Sequence, residues 1–511
     1  MTVIDDWMQT AATCRGDAVY LSDATGRRTL TYAGLRSAAR AWGALLDRVG
    51  VPPGGAVAIR LADPLGYATA LVGIVGAGRV AVPLDPGAPA AELSRVLAVA
   101  APQACVCDSG WELPPRLTLL GVAKIGVAKI SVAKISAPKA GAPQVAVSSR
   151  DGGIFLCTSG TTGTPKGILL REDQLGHVAA TVAAHHQLTP ADRGYCCLPL
   201  FHVNAEVVGL LATLAAGAGL VLDAKFSRRG FWAMIEARRI TWINAVPAII
   251  TILAMDPQAG ARPGRVRFVR SASAPLAPAT LRRFEEAFAI PVVETYGMTE
   301  AASMITANPL AGPRKAASAG LPAGTEVRVA QRRGSRSVPC QAFEVGQVQI
   351  RGQGVIRHYA SGGTAGVIDA DGWLDTGDLG HLDEDGYLFL AGRSDDVINR
   401  GGEKIYPREI EDFLLAQPGV WSVAVVAAHD EVLGARPVAY VVPAGTSPGP
   451  ELAAALREAC EAALPRAKRP TAFHLVQELP LGSTGKVARR RLRELAAGTR
   501  QAAAPDVMVA S

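Results

Sequence analysis

The chain of 511 residues is 49% hydrophobic and 19% charged, which excludes a disordered or low-complexity protein and is too long for one ordinary core. With 52 basic against 45 acidic residues the formal charge is +7, which suits an anionic small ligand. No dense basic stripe interleaved with aromatics marks a nucleic-acid partner, and apolar stretches such as Val207 to Leu222 are short and Gly/Ala-rich, so they read as core rather than membrane spans.

The start, Met-Thr-Val-Ile-Asp-Asp-Trp, has two acids and no basic region before an apolar run, so no signal peptide is expected. The eight cysteines show no C-x-x-C pair and no zinc spacing; Cys105, Cys107, Cys196 and Cys197 are expected as buried thiols of a cytoplasmic protein. Tyr32 to Val49 reads as an amphipathic helix, Ala56 to Leu61 as a strand, Tyr67 to Gly78 as a helix and Val80 to Leu84 as a buried strand. The five-residue unit Val-Ala-Lys-Ile-Gly/Ser repeats between Gly121 and Ser136, and a period of five matches neither helix nor strand. It reads as an expanded surface loop or a disordered insertion. The alternative is a basic contact for a partner or membrane surface through Lys124, Lys129 and Lys134.

The alternation resumes downstream. Strands are expected at Gly153 to Cys157, Gly194 to Pro199, Trp242 to Ala245, Phe268 to Ser271 and Val292 to Tyr296. Helices are expected at Arg171 to His185, Phe231 to Arg238, Pro247 to Ala254 and Pro278 to Phe288. Such alternation predicts a mostly parallel sheet with helices on both faces. Beyond Glu326 the pattern turns strand-rich, with Glu326 to Ala330, Gly346 to Arg351, Trp373 to Asp378 and Gly386 to Ala391. After Arg393 a shorter α+β pattern follows, with helices at Pro407 to Ala416 and Glu451 to Leu464. The fold class expected is α/β: a large N-terminal domain, 1–392, of mixed and parallel sheets with flanking helices, a hinge at 393–397, and a small mobile C-terminal α+β domain, 398–511.

The stretch Thr158 to Gly167, Thr-Ser-Gly-Thr-Thr-Gly-Thr-Pro-Lys-Gly, carries the chemistry of a loop that wraps a polyphosphate. Its glycines allow close backbone approach, its hydroxyls donate to phosphate oxygens, and Lys166 adds a positive charge. It is not a Walker A loop, because Pro165-Lys166-Gly167 stands where that motif needs Gly-Lys-Ser/Thr. It is expected to follow a buried strand and precede a helix.

This loop resembles the signature of the adenylate-forming superfamily, which comprises acyl-CoA synthetases, peptide-synthetase adenylation domains and luciferase. The resemblance covers nearly the whole chain. Leu30-Thr31-Tyr32 and Gly76 to Pro86 are similar to its early motifs, Glu294-Thr-Tyr-Gly-Met-Thr-Glu300 to its adenine and magnesium motif, and Trp373-Leu-Asp-Thr-Gly-Asp378 to its ribose motif. Gly392-Arg-Ser-Asp-Asp-Val-Ile398 is similar to its hinge and Pro480-Leu-Gly-Ser-Thr-Gly-Lys486 to its C-terminal catalytic loop. The resemblance implies ATP held by Thr158, Ser159, Gly160, Thr161, Thr162, Gly163, Lys166, Tyr296, Asp378 and Arg393. It implies Thr299 at the α-phosphate, Glu300 as the Mg²⁺ ligand, Asp395 as the hinge residue, and Lys486 stabilising charge during adenylation. The arginines after Lys486, among them Arg489 and Arg493, read as a solvated helix face.

Substrate choice is less legible. Leu198-Pro-Leu-Phe-His-Val-Asn204 resembles the aromatic/His motif that gates the acyl site, which adds His202 to the expected catalytic residues; a core histidine is the alternative. Phe201, Asn204, Val246, Ser271, Ala272, Ser273 and Ala274 are expected along the acyl pocket, within the segments Asn244 to Ile249 and Arg270 to Leu276. Ser271-Ala-Ser-Ala-Pro275 replaces a glycine-rich version common in the family, which should narrow that wall and favour a small acid. Were Glu206 to face the pocket, it would disfavour a dianion and favour a substrate bearing an amine. The loop containing Arg400, Gly401, Gly402, Glu403 and Lys404 resembles the thiol-accepting side of CoA-forming members, and the motifs are most similar to oxalyl-CoA and carnitine-type CoA synthetases. A second histidine of the oxalyl type is replaced by Asn204. The function implied is an AMP-forming acyl-CoA synthetase for a small or medium carboxylic acid, with ATP, Mg²⁺ and CoA. The alternative is an adenylating enzyme that serves a carrier-protein thiol or an amine, or that activates an oxyacid such as nitrite.

Overall fold

Thr2, Thr31 and Asp63 each start a helix. The Thr2 hydroxyl accepts the Asp5 N–H at 3.2 Å ahead of Val3–Arg15, and the Thr31 hydroxyl accepts the Gly34 N–H at 3.1 Å ahead of Tyr32–Arg48. The Asp63 carboxylate accepts the Gly66 N–H at 2.9 Å ahead of Pro64–Gly76. These oxygens satisfy N–H groups that a first helical turn leaves open, and Pro64 needs no such partner at its position. Leu30-Thr31-Tyr32 therefore has a structural role: Thr31 caps, and the buried Tyr32 hydroxyl donates to the Ala218 carbonyl at 2.7 Å.

The computed structural model describes residues 2–108, 117–125, 128–135, 152–158, 166–255, 264–334, 336–360, 368–444, 450–481 and 486–498. They divide into two units. One takes the chain up to Pro275 with 282–327 and 350–374; the other takes 276–281, 328–349 and the chain from Asp375 onward.

In the first unit, a nine-stranded sheet runs in the order Leu321–Pro322, Thr306–Ala307, Val292–Tyr296, Phe268–Ser271, Trp242–Ala245, Arg193–Cys196, Gly219–Leu222, Val19–Asp23, Thr29–Thr31. It is parallel from Val292–Tyr296 through Val19–Asp23 and antiparallel at both edges. A seven-stranded sheet runs Leu117–Ile125, Ala128–Ile135, Ala104–Cys107, Ala56–Arg60, Val80–Pro83, Gly153–Thr158, Lys166–Arg171. Its central strands are parallel and almost wholly apolar, as strands covered on both faces must be. The α/β class with mixed sheets is thus borne out.

Two elements differ from expectation. The repeat is neither a loop nor an insertion without structure: Leu117–Ile125 and Ala128–Ile135 pair antiparallel, and the second strand pairs with Ala104–Cys107. Its Val and Ile content favours a strand, and the pairing from Gly121 opposite Val132 to Ile125 opposite Ala128 runs without a break, since backbone hydrogen bonds do not require the five-residue period to match the pleat. The second difference is a π-helix at Asn204–Leu211, running into Ala212–Ala215, where sequence periodicity marks only an apolar stretch.

In the chain from Asp375 onward, Val420–Asp430, Gly434–Pro443 and Phe473–Leu475 form a three-stranded sheet buried on both faces. Val423, Val425, Ala439 and Val441 pack with Ile410 and Leu456 on one side, while Ala424, Val426, Val438 and Tyr440 pack with Leu492 on the other. The two-residue alternation along each strand produces these two cores. A five-stranded sheet runs Arg336–Pro339, Glu326–Arg333, Gly346–Arg351, Leu374–Leu382, Leu388–Arg393.

Candidate active site

Gly153–Thr158 and Lys166–Arg171 pair antiparallel in register, Thr158 opposite Lys166, and the helix Glu172–His185 follows. The expected phosphate loop therefore joins two strands of a hairpin rather than leading from a strand into a helix. Ser159, Gly160, Thr161, Thr162 and Gly163 lie outside the described residues, as do the side chains of Thr158 and Lys166.

The motif at 294–300 ends a parallel strand. After Tyr296 the chain folds back: the Ile305 N–H donates to the Tyr296 carbonyl at 2.9 Å and the Ser303 N–H to the Met298 carbonyl at 3.1 Å. A Cβ on Gly297 would land on the Ser303 carbonyl, so only glycine permits this turn. Thr299–Ala301 form a short 3₁₀ turn that buries Glu300, whose carboxylate accepts the Tyr359 hydroxyl at 3.0 Å. Tyr296 and Thr299 are half-buried. Among the described residues no group of three His, Cys, Asp or Glu side chains could hold a metal alone. A single hard carboxylate fits a Mg²⁺ ion that takes its other ligands from phosphates and water.

Asp378 and Arg393 stand directly opposite each other on antiparallel strands. Thr376 fixes this end of the strand: its hydroxyl donates to the Val348 carbonyl at 2.8 Å and accepts the Asp378 N–H at 3.1 Å. Arg393 Nη1 lies 3.4 Å from the Asp378 carboxylate and donates to the Thr376 carbonyl at 3.0 Å, and its Nε lies 3.5 Å from the Asp395 carboxylate. Gly377 is left-handed, with φ +73°, and a Cβ there would approach Arg393 Nη2 to 2.8 Å. The structure thus brings Asp378, Arg393 and Asp395 together.

Ile398–Arg400 and Glu403–Ile405 form a hairpin whose two turn residues, Gly401 and Gly402, have φ +60° and +93°. That is the turn for which a Gly-Gly pair is suited. Arg400 is tied to the Ala467 and Arg466 carbonyls at 2.8 and 3.2 Å, while Glu403 and Lys404 are exposed.

Lys486 is exposed, next to the bridge between Leu481 and Val487. The helix after it, Arg489–Gly498, is not simply a solvated face. Arg489 binds the Glu411 carboxylate at 2.7 and 2.8 Å and lies 3.4 Å from Asp396; Arg493 lies 3.3 Å from Asp396. Arg490 does follow the solvated reading, 83% exposed. Burial pushes the Asp396 carboxyl up, against the opposing pull of Arg489 and Arg493.

The expected acyl-pocket residues belong to the first unit. The Phe201 and His202 rings lie 4.6 Å apart, both half-buried, where the chain enters the π-helix. Val246 is half-buried, Ser271 and Ala272 are buried, and Ser273 and Ala274 are exposed. Ser273 is left-handed, φ +74°, a conformation suited to glycine, and its hydroxyl lies 3.3 Å from Asn204 Nδ2. Below Asn204 sits Arg270, 1% exposed, whose Nη1 donates to Asn204 Oδ1 at 2.8 Å and Asn244 Oδ1 at 3.1 Å. Sequence reasoning marked the segments containing Asn244 and Arg270 without singling out either; a lone arginine inside Phe268-Val-Arg-Ser271 was the available signal. Glu206 does not face a pocket mouth. It is fully buried, accepts the Tyr67 hydroxyl at 2.8 Å, and burial pushes its carboxyl up to about 8, so the amine-favouring role has no support.

With this geometry in place, the chain matches the family model of the AMP-binding enzyme over residues 8–360 and that of the AMP-binding enzyme C-terminal domain over residues 409–486. It is 44% identical to the sulfoacetate–CoA ligase of Cupriavidus necator over 66% of each chain. It is 34% identical to the oxalate–CoA ligase of Arabidopsis thaliana over 91% of this chain and 93% of that one. The O-succinylbenzoate coenzyme A synthetase of Bacillus subtilis, solved with ATP and magnesium ion, superposes with a TM-score of 0.80 at 26% identity, covering 95% of this chain and 98% of that one. These matches bear out the resemblance to the adenylate-forming superfamily and the expectation of an ATP-dependent, AMP-forming acyl-CoA synthetase using ATP, Mg²⁺ and CoA. The chain belongs to the AMP-binding enzyme family.

Proposed function

We propose that this enzyme activates a small carboxylic acid and transfers it to CoA, with the residues above in the following roles. A carboxylate oxygen attacks the α-phosphorus of ATP, pyrophosphate leaves, and acyl-AMP forms. The CoA sulfur then attacks the acyl carbon, AMP leaves, and the thiol proton goes to solvent. In the first step catalysis is mainly positioning and charge stabilisation. The 158–167 loop holds the departing phosphates, Tyr296 offers a flat face to the adenine, Thr299 its hydroxyl to the α-phosphate, and Asp378 accepts from the ribose hydroxyls with Arg393 beside it. Glu300 would hold Mg²⁺, which supplies charge neutralisation on the phosphates. Lys486 balances the charge that builds on the reacting oxygens, and His202 with Phe201 walls the acyl group.

For the second step the chain turns about Asp395, so that the hairpin carrying Arg400, Gly401, Gly402, Glu403 and Lys404 serves the thiol. The observation that carries the reading is the register of Asp378 against Arg393, a carboxylate and a guanidinium fixed by backbone bonds at the expected ribose motif. Two observations bear on the setting. No helix among the described residues is long and apolar enough to cross a membrane, and all eight cysteines are free thiols. Free thiols support a cytoplasmic location. Pyrophosphate release measured across a panel of acids, with and without CoA, tests the whole reading. CoA-dependent turnover of at least one carboxylic acid is expected. Release with an inorganic oxyacid alone, or thioester formation only on a carrier protein, would replace it.

A further inference from the structure

Arg270 is a buried cation with no acid beside it. It is 1% exposed at the end of a central strand, and among the described residues no carboxylate pairs with it. Its Nη1 has two neutral acceptors, the amide oxygens of Asn204 and Asn244, and its Nε is buried without a hydrogen bond. Buried charges are ordinarily paired, because an uncompensated one bears the full loss of hydration. The nearby acid does not supply the pairing: Glu206, two residues from Asn204, binds Tyr67, and burial leaves its carboxyl with an affinity for protons near pH 8. Burial pulls the guanidinium down to about 9, opposed only by the Cys196 thiol. Among the described residues the cation thus has neutral amide partners and no acidic one.

The same cluster leads outward. Asn204 Nδ2 lies 3.3 Å from the Ser273 hydroxyl, and Ser273 is exposed at the expected acyl wall. Asn244 Nδ2 in turn approaches Asn204 Oδ1 at 3.3 Å. One arginine, two amides and one hydroxyl thus meet within the segments expected to line the acyl pocket.

We propose that Arg270, with Asn204, Asn244 and Ser273, recognises a second anionic group on the acid, a carboxylate or a sulfonate carried a short distance from the carboxylate that is adenylated. The inference rests on the acid-activating reading given above. The anion takes the place of Asn204 Oδ1 on Arg270, and the two amide nitrogens and the Ser273 hydroxyl remain as donors to it. Arg270 is then a specificity-determining residue, remote from the reacting carboxylate.

The test compares acids of matched length in the full enzyme: propionate and butyrate against malonate, succinate and sulfoacetate, by pyrophosphate release with ATP, Mg²⁺ and CoA. Wild type is expected to favour the doubly anionic acids by about 100-fold or more in kcat/KM, because a site with buried polar groups rejects a ligand that leaves them unpaired. The malonate and sulfoacetate arms separate carboxylate from sulfonate recognition. Arg270→Leu is expected to lose that factor on the doubly anionic acids, to keep propionate within a few-fold, and to bind ATP unchanged by calorimetry. Arg270→Lys, which keeps the charge, is expected to retain part of the preference and serves if the leucine variant does not fold. Equal use of single and double anions by wild type overturns the proposal and leaves the acid-activating reading intact. Equal loss on both classes in both variants also overturns it, by giving Arg270 a purely structural role. Failure of every acid to release pyrophosphate defeats the underlying reading and this one together.

Discussion

Arg489 holds the Glu411 carboxylate with both of its terminal nitrogens, at 2.7 and 2.8 Å, three residues beyond Lys486. The same guanidinium donates to the Val425 carbonyl at 2.8 Å, and Glu411 accepts the Val425 N–H at 2.7 Å. The start of the last helix is thereby bolted to the edge of the three-stranded sheet and to the helix Pro407–Leu415. Asp396, one residue past the proposed hinge, is drawn in through Arg489 and Arg493.

Arg489→Leu leaves Glu411 and Asp396 in largely buried places without their main cation. Removing one partner of a buried pair costs about 3–5 kcal/mol, and the partial exposure of Arg489 brings the expected loss to about 2–3 kcal/mol. Urea unfolding followed by far-ultraviolet circular dichroism reads it. The double variant Arg489→Leu with Glu411→Gln should recover part of the loss, and strict additivity of the two changes would contradict the pairing.

Lys486→Ala should remove acyl-AMP formation and spare the second half-reaction. A preorganised charge at a developing anion is worth about 10²–10³ in rate. Pyrophosphate release should fall by about that factor, while thioester formation from supplied acyl-AMP should stay within a few-fold of wild type. Lys486 is exposed, so folding should be unaffected. Equal loss of both steps would remove Lys486 from the role assigned to it.

Glu206 makes stability fall with rising pH. Its ordinary value is 4.5 and burial raises it to about 8, with the Tyr67 hydrogen bond opposing. Below the unfolded value the native and unfolded chains both hold the proton. Between the two values only the native chain holds it, so stability declines across that window and levels off above the folded value. Glu206→Gln keeps an oxygen for the Tyr67 hydroxyl and has no proton to lose. The difference in unfolding free energy, variant minus wild type, should be independent of pH at acid pH and grow by about 4 kcal/mol by about pH 8. A difference that stays constant across the range would show that Glu206 ionises in the native state much as it does in the unfolded chain.

The strand–helix alternation of the first unit was legible because buried parallel strands and amphipathic helices differ in period, and Trp242–Ala245, Phe268–Ser271 and Val292–Tyr296 do pair in parallel as that alternation predicts. The hydroxyls, glycines and acids of the expected nucleotide site were legible as chemistry. What they touch was not: that Asp378 faces Arg393, or that Tyr359 donates to Glu300 from 59 residues away, depends on registers no local pattern encodes. The 121–136 repeat misled because a period of five has no face, yet β-branched content suffices for backbone pairing, which does not need one. Arg270 and Glu206 were visible as single charges in apolar runs, but only packing distinguishes a charge held unpaired from one neutralised by its burial.

Ser273 occupies a backbone position that favours glycine, and that sets opposite expectations for two small substitutions. At φ +74° its Cβ crowds the following carbonyl, a cost of about 1–2 kcal/mol that glycine does not bear. Glycine gives back roughly 0.5–1 kcal/mol through the freedom it gains when unfolded. Ser273→Gly should therefore equal wild type or exceed it slightly in stability, even though it loses the contact with Asn204 Nδ2. Ser273→Ala keeps the strained Cβ and loses that contact, so it should be the less stable of the two by about 1 kcal/mol. Thermal unfolding of the pair checks the ranking, and an alanine variant more stable than the glycine variant would contradict the left-handed backbone. The same two variants speak to pocket size. Glycine removes side-chain atoms and the hydroxyl from the acyl wall, so kcat/KM for longer acids should rise in Ser273→Gly relative to short ones, whereas Ser273→Ala, which retains the Cβ, should leave the length preference nearly unchanged.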